Sequence, residues 1–339
     1  MPIHPFSSIK GEMKSFMVES AAISGNLLGD PPRREVLVYL PPGCDDGPVP
    51  LMVYLAGFTG SGLGRAGWKA YQESLPQRLD RLISENRMGP VALALPDCFT
   101  SLGGNQYINS IAMGNWSDFL CEEMVPLLER ELNLMKRPSA RAVLGKSSGG
   151  YGAIMQAMLN GNRWGAVACH SGDMGFDRLF LGDLPKALMQ LEKYGGVMEF
   201  IQHTRDSQTM AGGDLHILMV LAMAATYDPD PDSPMGIRLP VKEGTCELIP
   251  ERWQAWLEKD PCTLINDDGV KENLKSLKGL FIDCGSRDQY NIQFGTRQLA
   301  AAMQKYSIPH VHEEFDDDHS GIDYRLDSSL PFLYSCIVD

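Results

Sequence analysis

At 339 residues, 44% hydrophobic and 22% charged, the chain has the composition of a folded globular protein, long enough for one large domain or two ordinary ones. Its net charge of -13 and the lack of any Lys/Arg cluster exclude a protein that tracks nucleic-acid phosphates. The longest apolar run, Leu215 to Ala225, falls well short of the ~20 residues that a membrane span requires.

From the N-terminus, "MPIHPFSSIKGEMKSF" has two early prolines and no continuous apolar stretch of signal-peptide length. Five short apolar runs bounded by turn residues then read as strands: 15–23, 34–41, 49–57, 90–97 and 140–145. Helical patterns fill two of the gaps, "WKAYQESLPQRLDRLISEN" before the fourth strand and "WSDFLCEEMVPLLERELN" before the fifth, with Ser117 as a candidate N-cap of the second. Three more strands follow at 164–172, 277–285 and 309–315. Strands alternating with helices predict an α/β protein with a mostly parallel central sheet of about eight strands and helices on both faces. The gap between the sixth and seventh strands is too long for one crossover helix. It holds helical stretches from Leu184, Gly195 and Gly213 and a loop from Tyr227, so residues 173–276 are expected to be a mainly helical, cap-like insertion in a single domain spanning 1–339. The eight cysteines (44, 98, 121, 169, 246, 262, 284 and 336) lie far apart without metal-ligand spacing. Packed, reduced thiols and a cytoplasmic location are the expectation.

One stretch carries chemistry. "RAVLGKSSGGYGA" runs from a buried strand into a helix, and Gly145-Lys146-Ser147-Ser148-Gly149 between them fits G-x-S-x-G, the nucleophile elbow of α/β hydrolases. A serine on so sharp a turn needs neighbours with almost no side chain, which the two glycines supply. Ser147, at the centre, is the candidate nucleophile, and Ser148 would contribute its backbone N–H to an oxyanion hole. A phosphate loop is a poorer match, because G-x-x-x-x-G-K-[ST] is not present in that order.

A serine needs a base, and the base an orienting carboxylate, in the chain order Ser, Asp/Glu, His. Of seven histidines (4, 170, 203, 216, 310, 312 and 319), His319 lies in the loop after the last strand, where it can reach over the sheet end. His170 is its rival, but it precedes any plausible acid; its plainer role is a satisfied polar residue lining the pocket. "LFIDCGSRDQYN" offers Asp283 inside the apolar run and Asp288 past the Gly285-Ser286 break, which favours Asp288 over a plain helix cap. The glycine-rich "YLAGFTGSGLG" after the third strand is placed to give the Phe58 N–H to the oxyanion hole, with Gly57 and Thr59 beside it. Gly57, Thr59, Gln106, Tyr107 and His170 are candidate substrate contacts, as are Trp253 and Trp256 of the insertion. The segment Ser101 to Trp116 is expected to form another pocket wall. Methionines 189, 198, 210, 219, 223 and 235 could line an apolar acyl site, although at helical spacing such residues are more often plain core.

Together "VLVYLPPG", "YLAGFTG", "GNWSDFLCEEMVPLLER", "GKSSGGYGA", "CGSRDQY" and "DDDHSG" resemble the "Putative esterase" family of α/β hydrolases, which includes esterase D (S-formylglutathione hydrolase), enterochelin esterases, feruloyl esterases and the mycolyltransferases. The resemblance covers most of the chain outside the insertion. It implies an α/β-hydrolase fold with Ser147 as nucleophile, Asp288 as acid, His319 as base, and Phe58 and Ser148 as oxyanion donors. Ala56 stands where many members have His, and Asp317-Asp318 precede His319 where glycine is common, acidic neighbours that favour a protonated imidazole. The implied activity is a serine carboxylic-ester hydrolase acting on a small-molecule ester, with no metal or cofactor. Still open are an acyltransferase or peptidase using the same triad, a binding protein on a hydrolase fold, and assembly into a homo-oligomer.

Overall fold

Strands buried on both faces read as unbroken apolar runs, and β3 (Leu51–Leu55), β4 (Ala92–Pro96) and β8 (Ala166–His170) are buried at every residue. The computed structural model describes residues 8–338; His4 lies outside them. With β1 (Glu12–Glu19), β2 (Arg33–Leu40), β7 (Arg141–Lys146), β9 (Gly279–Gly285) and β10 (Val311–Phe315), these strands form an eight-stranded sheet in the order β1-β2-β4-β3-β7-β8-β9-β10. β2 pairs antiparallel with β1 and β4, and every other pair is parallel. β5 (Asn109–Ser110) and β6 (Gly114–Asn115) make a separate small ribbon.

Successive strand residues point to opposite faces. Val53, Val143, Val167 and Ile282 therefore pack with the helices Ser148–Asn160 and Ile292–Lys305 on one side. Met52, Leu144, Ala168 and Phe281 pack with Leu75–Ser84 and Leu326–Ile337 on the other. Helices thus cover both faces, as the alternating pattern predicts.

Three local expectations are corrected. β1 covers 12–19 rather than 15–23, because its ladder with β2 runs from Glu12 opposite Leu40 to Glu19 opposite Arg33. Ser20 then turns the chain away: its hydroxyl donates to Glu123 and accepts the Ile23 N–H, and the apolar residues that mimic strand continue as a turn with Ile23 fully buried. The helix expected from Trp68 starts at Leu75, after a reciprocal cap between Ser74 and Gln77. Ser117 caps nothing. It lies inside the helical turn Trp116–Asp118, and its hydroxyl accepts from Gln156 (3.1 Å) and Asn160 (2.9 Å). That helix continues through a π turn, Phe119–Met124, into Val125–Glu131, and the widened turn stands just before Pro126, which has no N–H to give.

Between β8 and β9 the chain forms helices Phe176–Leu179, Leu184–Tyr194, Val197–Asp206, Asp214–Tyr227, Pro250–Leu257, Pro261–Leu264 and Asp268–Ser276. An aromatic cluster anchors them to the sheet layer. Phe180, Tyr227 and Trp256 meet with ring centroids 5.3–6.1 Å apart, and Tyr227 sits 5.8 Å from Tyr151 on the helix below. Among the described residues no helix is long and apolar enough to cross a membrane.

Candidate active site

Ser147 joins β7 to the helix Ser148–Asn160 with φ +58° and ψ -127°, a backbone shape that non-glycine residues avoid. Two bonds hold it there: its N–H donates to the His170 carbonyl (2.9 Å), and its own carbonyl accepts from the Tyr151 N–H (2.8 Å). The neighbouring glycines are required by space. A Cβ on Gly149 would lie 2.0 Å from the Leu55 carbonyl oxygen, and one on Gly145 2.3 Å from that of Gly149. Gly57, at the end of β3, packs directly on the turn, its Cβ position 3.4 Å from the Ser147 Cβ. The Ser148 N–H, at the first helical position, has no acceptor within its helix.

The loops after β9 and β10 converge because Gly285 has no side chain: a Cβ there would be 2.5 Å from the Asp317 carbonyl oxygen. This brings His319 Nδ1 to 2.7 Å from Asp288 Oδ2, with both residues buried. The carboxylate's other oxygen accepts the Tyr290 N–H (2.9 Å), and Gln289 Oε1 accepts the His319 N–H (3.0 Å). Asp288 does not cap the following helix; Asn291 occupies that position. Tyr290 stands edge-on to the imidazole at 4.9 Å. A carboxylate on Nδ1 keeps the proton there and leaves Nε2 as an acceptor. The carboxylates of Asp317 and Asp318 turn into their own loop, taking the backbone N–H groups of Asp318 and Ser320 and the Tyr324 hydroxyl.

Ser147 and His319 line one cavity of about 440 Å³, together with Gly57, Phe58 and Thr59. Leu179, Phe180, Leu215, His216 and Met219 of the β8–β9 segment line it as well. Of the six methionines considered, Met219 alone reaches it: Met223 is core, and Met189, Met198 and Met210 are exposed.

Five of the expected substrate contacts do not line the cavity. Trp256 is fully buried in the aromatic cluster, and Trp253 packs on it while donating its indole N–H to Asp177 (3.1 Å). His170 lies inside the sheet layer, Nδ1 on Asp283 (2.7 Å) and Nε2 on the Ser329 hydroxyl (2.8 Å), and Arg325 clamps the other Asp283 oxygen (2.8 Å). This accounts for Asp283 as well. Tyr107 donates its hydroxyl to the Ala56 carbonyl (2.6 Å) and Gln106 its amide to the Ser148 hydroxyl (2.9 Å), both behind the serine turn. The segment Ser101 to Trp116 is thus a backing to the site rather than a wall of it. A Cβ on Gly104 would sit 2.3 Å from the Phe58 Cα, so Gly104 lets that segment press against the Phe58 backbone.

Sequence reasoning missed Asp173, Lys146, Arg65 and Tyr290, which also line the cavity. Lys146 and Tyr290 stood inside the quoted motifs, and Asp173 lies three residues past the C-terminal end of β8, where ligand sites of parallel sheets gather. Burial pushes the Asp173 carboxyl up to about 6, opposed by the nearby His319 and by hydrogen bonds from Gln106 and Ser148. Among the described residues no group of three or more His, Cys, Asp or Glu side chains is arranged to hold a metal ion.

The sheet order, the helices on both faces and the strained serine turn after β7 define an α/β-hydrolase fold. Residues 31–327 match the family described as "Putative esterase", and the chain belongs to that family; it is a carboxylesterase-type hydrolase. Solved structures agree on the fold. A ferulic acid esterase is 17% identical with TM-score 0.63, covering 97% of this chain and 100% of that one. An S-formylglutathione hydrolase from Agrobacterium tumefaciens is 15% identical with TM-score 0.59, covering 98% and 97%. FphF, a fluorophosphonate-binding serine hydrolase from Staphylococcus aureus, is 17% identical with TM-score 0.56, covering 97% and 99%. No curated protein sequence matches the chain.

Proposed function

We propose that the protein hydrolyses carboxylic esters through Ser147, His319 and Asp288. His319 Nε2 takes the Ser147 proton as Oγ attacks the ester carbonyl, and returns it to the departing alkoxide. The acyl-enzyme is then hydrolysed by a water that His319 deprotonates. Asp288 holds the imidazole in the required tautomer and stabilises its charged form. The backbone N–H groups of Phe58 and Ser148 face the oxyanion of each tetrahedral intermediate. In this reading residues 1–339 are one domain and 173–276 a cap over the site, whose apolar side chains set the choice of ester.

The observation that carries the proposal is the 2.7 Å His319–Asp288 bond at a cavity that the strained Ser147 also lines. The test is 4-nitrophenyl acetate hydrolysis by wild type, Ser147→Ala and Ser148→Ala. Ser147→Ala should lose roughly 10⁴-fold or more in kcat, whereas Ser148→Ala keeps its backbone N–H and most of its rate. A Ser147→Ala protein as fast as wild type would sink the mechanism.

A further inference from the structure

The site carries positive charge that ester hydrolysis does not need. Lys146, the residue before the nucleophile, lines the cavity half-buried, and among the described residues its ammonium has no hydrogen-bond or ion-pair partner. Arg65 lines the same wall. Its guanidinium lies over the Tyr54 ring at 5.0 Å and donates through Nη2 to Asp323 (2.7 Å), while its buried Nε has no partner. Lys69 stands 3.6 Å from the same Asp323 oxygen. One carboxylate, Asp323, therefore serves Arg65 and Lys69 by direct contact and Lys146 only from a distance. Among the described residues Asp173 is the one carboxylate that lines the cavity, held at the back by Gln106 and Ser148, while Asp288 and Asp183 stand behind the lining His319 and His216. Burial draws the Lys146 ammonium below the usual lysine range against the pull of Asp323, with Arg65 adding to the effect, as befits a charge held without full hydration or a direct partner.

A surplus of cations in a partly dry pocket attracts an anion more strongly than the same charges on an open surface. From the unpaired Lys146 beside the nucleophile and the Arg65 guanidinium on the same cavity wall, we infer that this wall is an anion subsite and that the preferred esters carry a carboxylate or comparable anionic group next to the scissile bond. The inference rests on the esterase reading above and specifies its substrate class. The anion stands on the acyl or the alcohol side, and matched ester pairs separate the two.

Mono-4-nitrophenyl glutarate against 4-nitrophenyl valerate tests the acyl side; 4-acetoxybenzoate against 4-acetoxybenzamide tests the alcohol side. Wild type should favour one anionic ester by about tenfold or more in kcat/KM over its neutral partner. Raising the salt from about 0.02 M to about 0.5 M should shrink that ratio. Lys146→Ala should bring the ratio near one, and Lys146→Arg should keep most of it. Turnover of the neutral esters with no anionic preference in either pair would overturn the subsite and leave the esterase reading standing. Failure to turn over any ester would end the esterase reading, and calorimetry with glutarate then judges the subsite by itself. Binding that Lys146→Ala abolishes supports it, and no binding overturns it.

Discussion

Asp173 shows how a single side chain can weigh against the fold it belongs to. It is buried beside His319, and burial raises its carboxyl to about 6, above the usual carboxylate range. The folded protein therefore holds this proton more tightly than the unfolded chain does. Its contribution to stability is complete below the ordinary carboxylate pKa and is lost as pH rises through about 6. A shift near two units corresponds to roughly 2–3 kcal/mol at pH 8. Asp173→Asn should then unfold at higher urea than wild type at pH 8, with the gain gone by pH 4. If His319 is the base as proposed, the same change should lower kcat, because the Asp173 charge lies near the imidazolium that mechanism forms. A gain in stability equal at both pH values would show that the charge on Asp173 costs the fold nothing.

At the scale of elements, the serine turn is held by close approaches as well as by bonds. Gly104 lets the Ser101 to Trp116 segment press against the Phe58 backbone, so Gly104→Ala should displace the Phe58 N–H, the proposed oxyanion donor, while leaving the His319–Asp288 bond intact. We expect kcat to fall by about 10²-fold, the cost of one such donor, with a smaller change in KM and a folded protein by melting curve. Unchanged kcat would place the oxyanion donor elsewhere. The turn itself was legible because chemistry and space both demand glycine at 145 and 149. The sheet was legible because its central strands are apolar throughout. The edges were not: Ala21 to Ile23 are as apolar as strand, and only the β2 ladder decides that they turn away. Helices Pro250–Leu257, Pro261–Leu264 and Asp268–Ser276 escaped notice because they are too short to show an apolar period. Two of them begin at prolines that read as breakers although proline suits a helix's first turn. Their signals were Asp260 and Asp267, which cap the last two by accepting backbone N–H groups at 3.0 Å.

Across the whole molecule, the pairing of His319 with Asp288 could be anticipated from the sequence because histidines are few and the chain order Ser, Asp, His is restrictive. The pocket walls could not, since they depend on which faces of the β8–β9 helices look inward. Trp253 and Trp256 turn into the aromatic cluster, while Leu215, His216 and Met219 turn toward the serine. The interior holds one more consequence. Ser329, His170 and Asp283 repeat the bonding order of nucleophile, base and acid, at 2.8 and 2.7 Å, with exposures of 0, 2 and 0%. They mirror in the core the trio proposed for catalysis, Ser147, His319 and Asp288. A fluorophosphonate should nevertheless attach in a ratio of one per chain, and peptide mapping should find it on Ser147, with none on Ser329; label on Ser329 would contradict this. What separates the two trios is admission: the inner one has the wiring of an enzyme and no door.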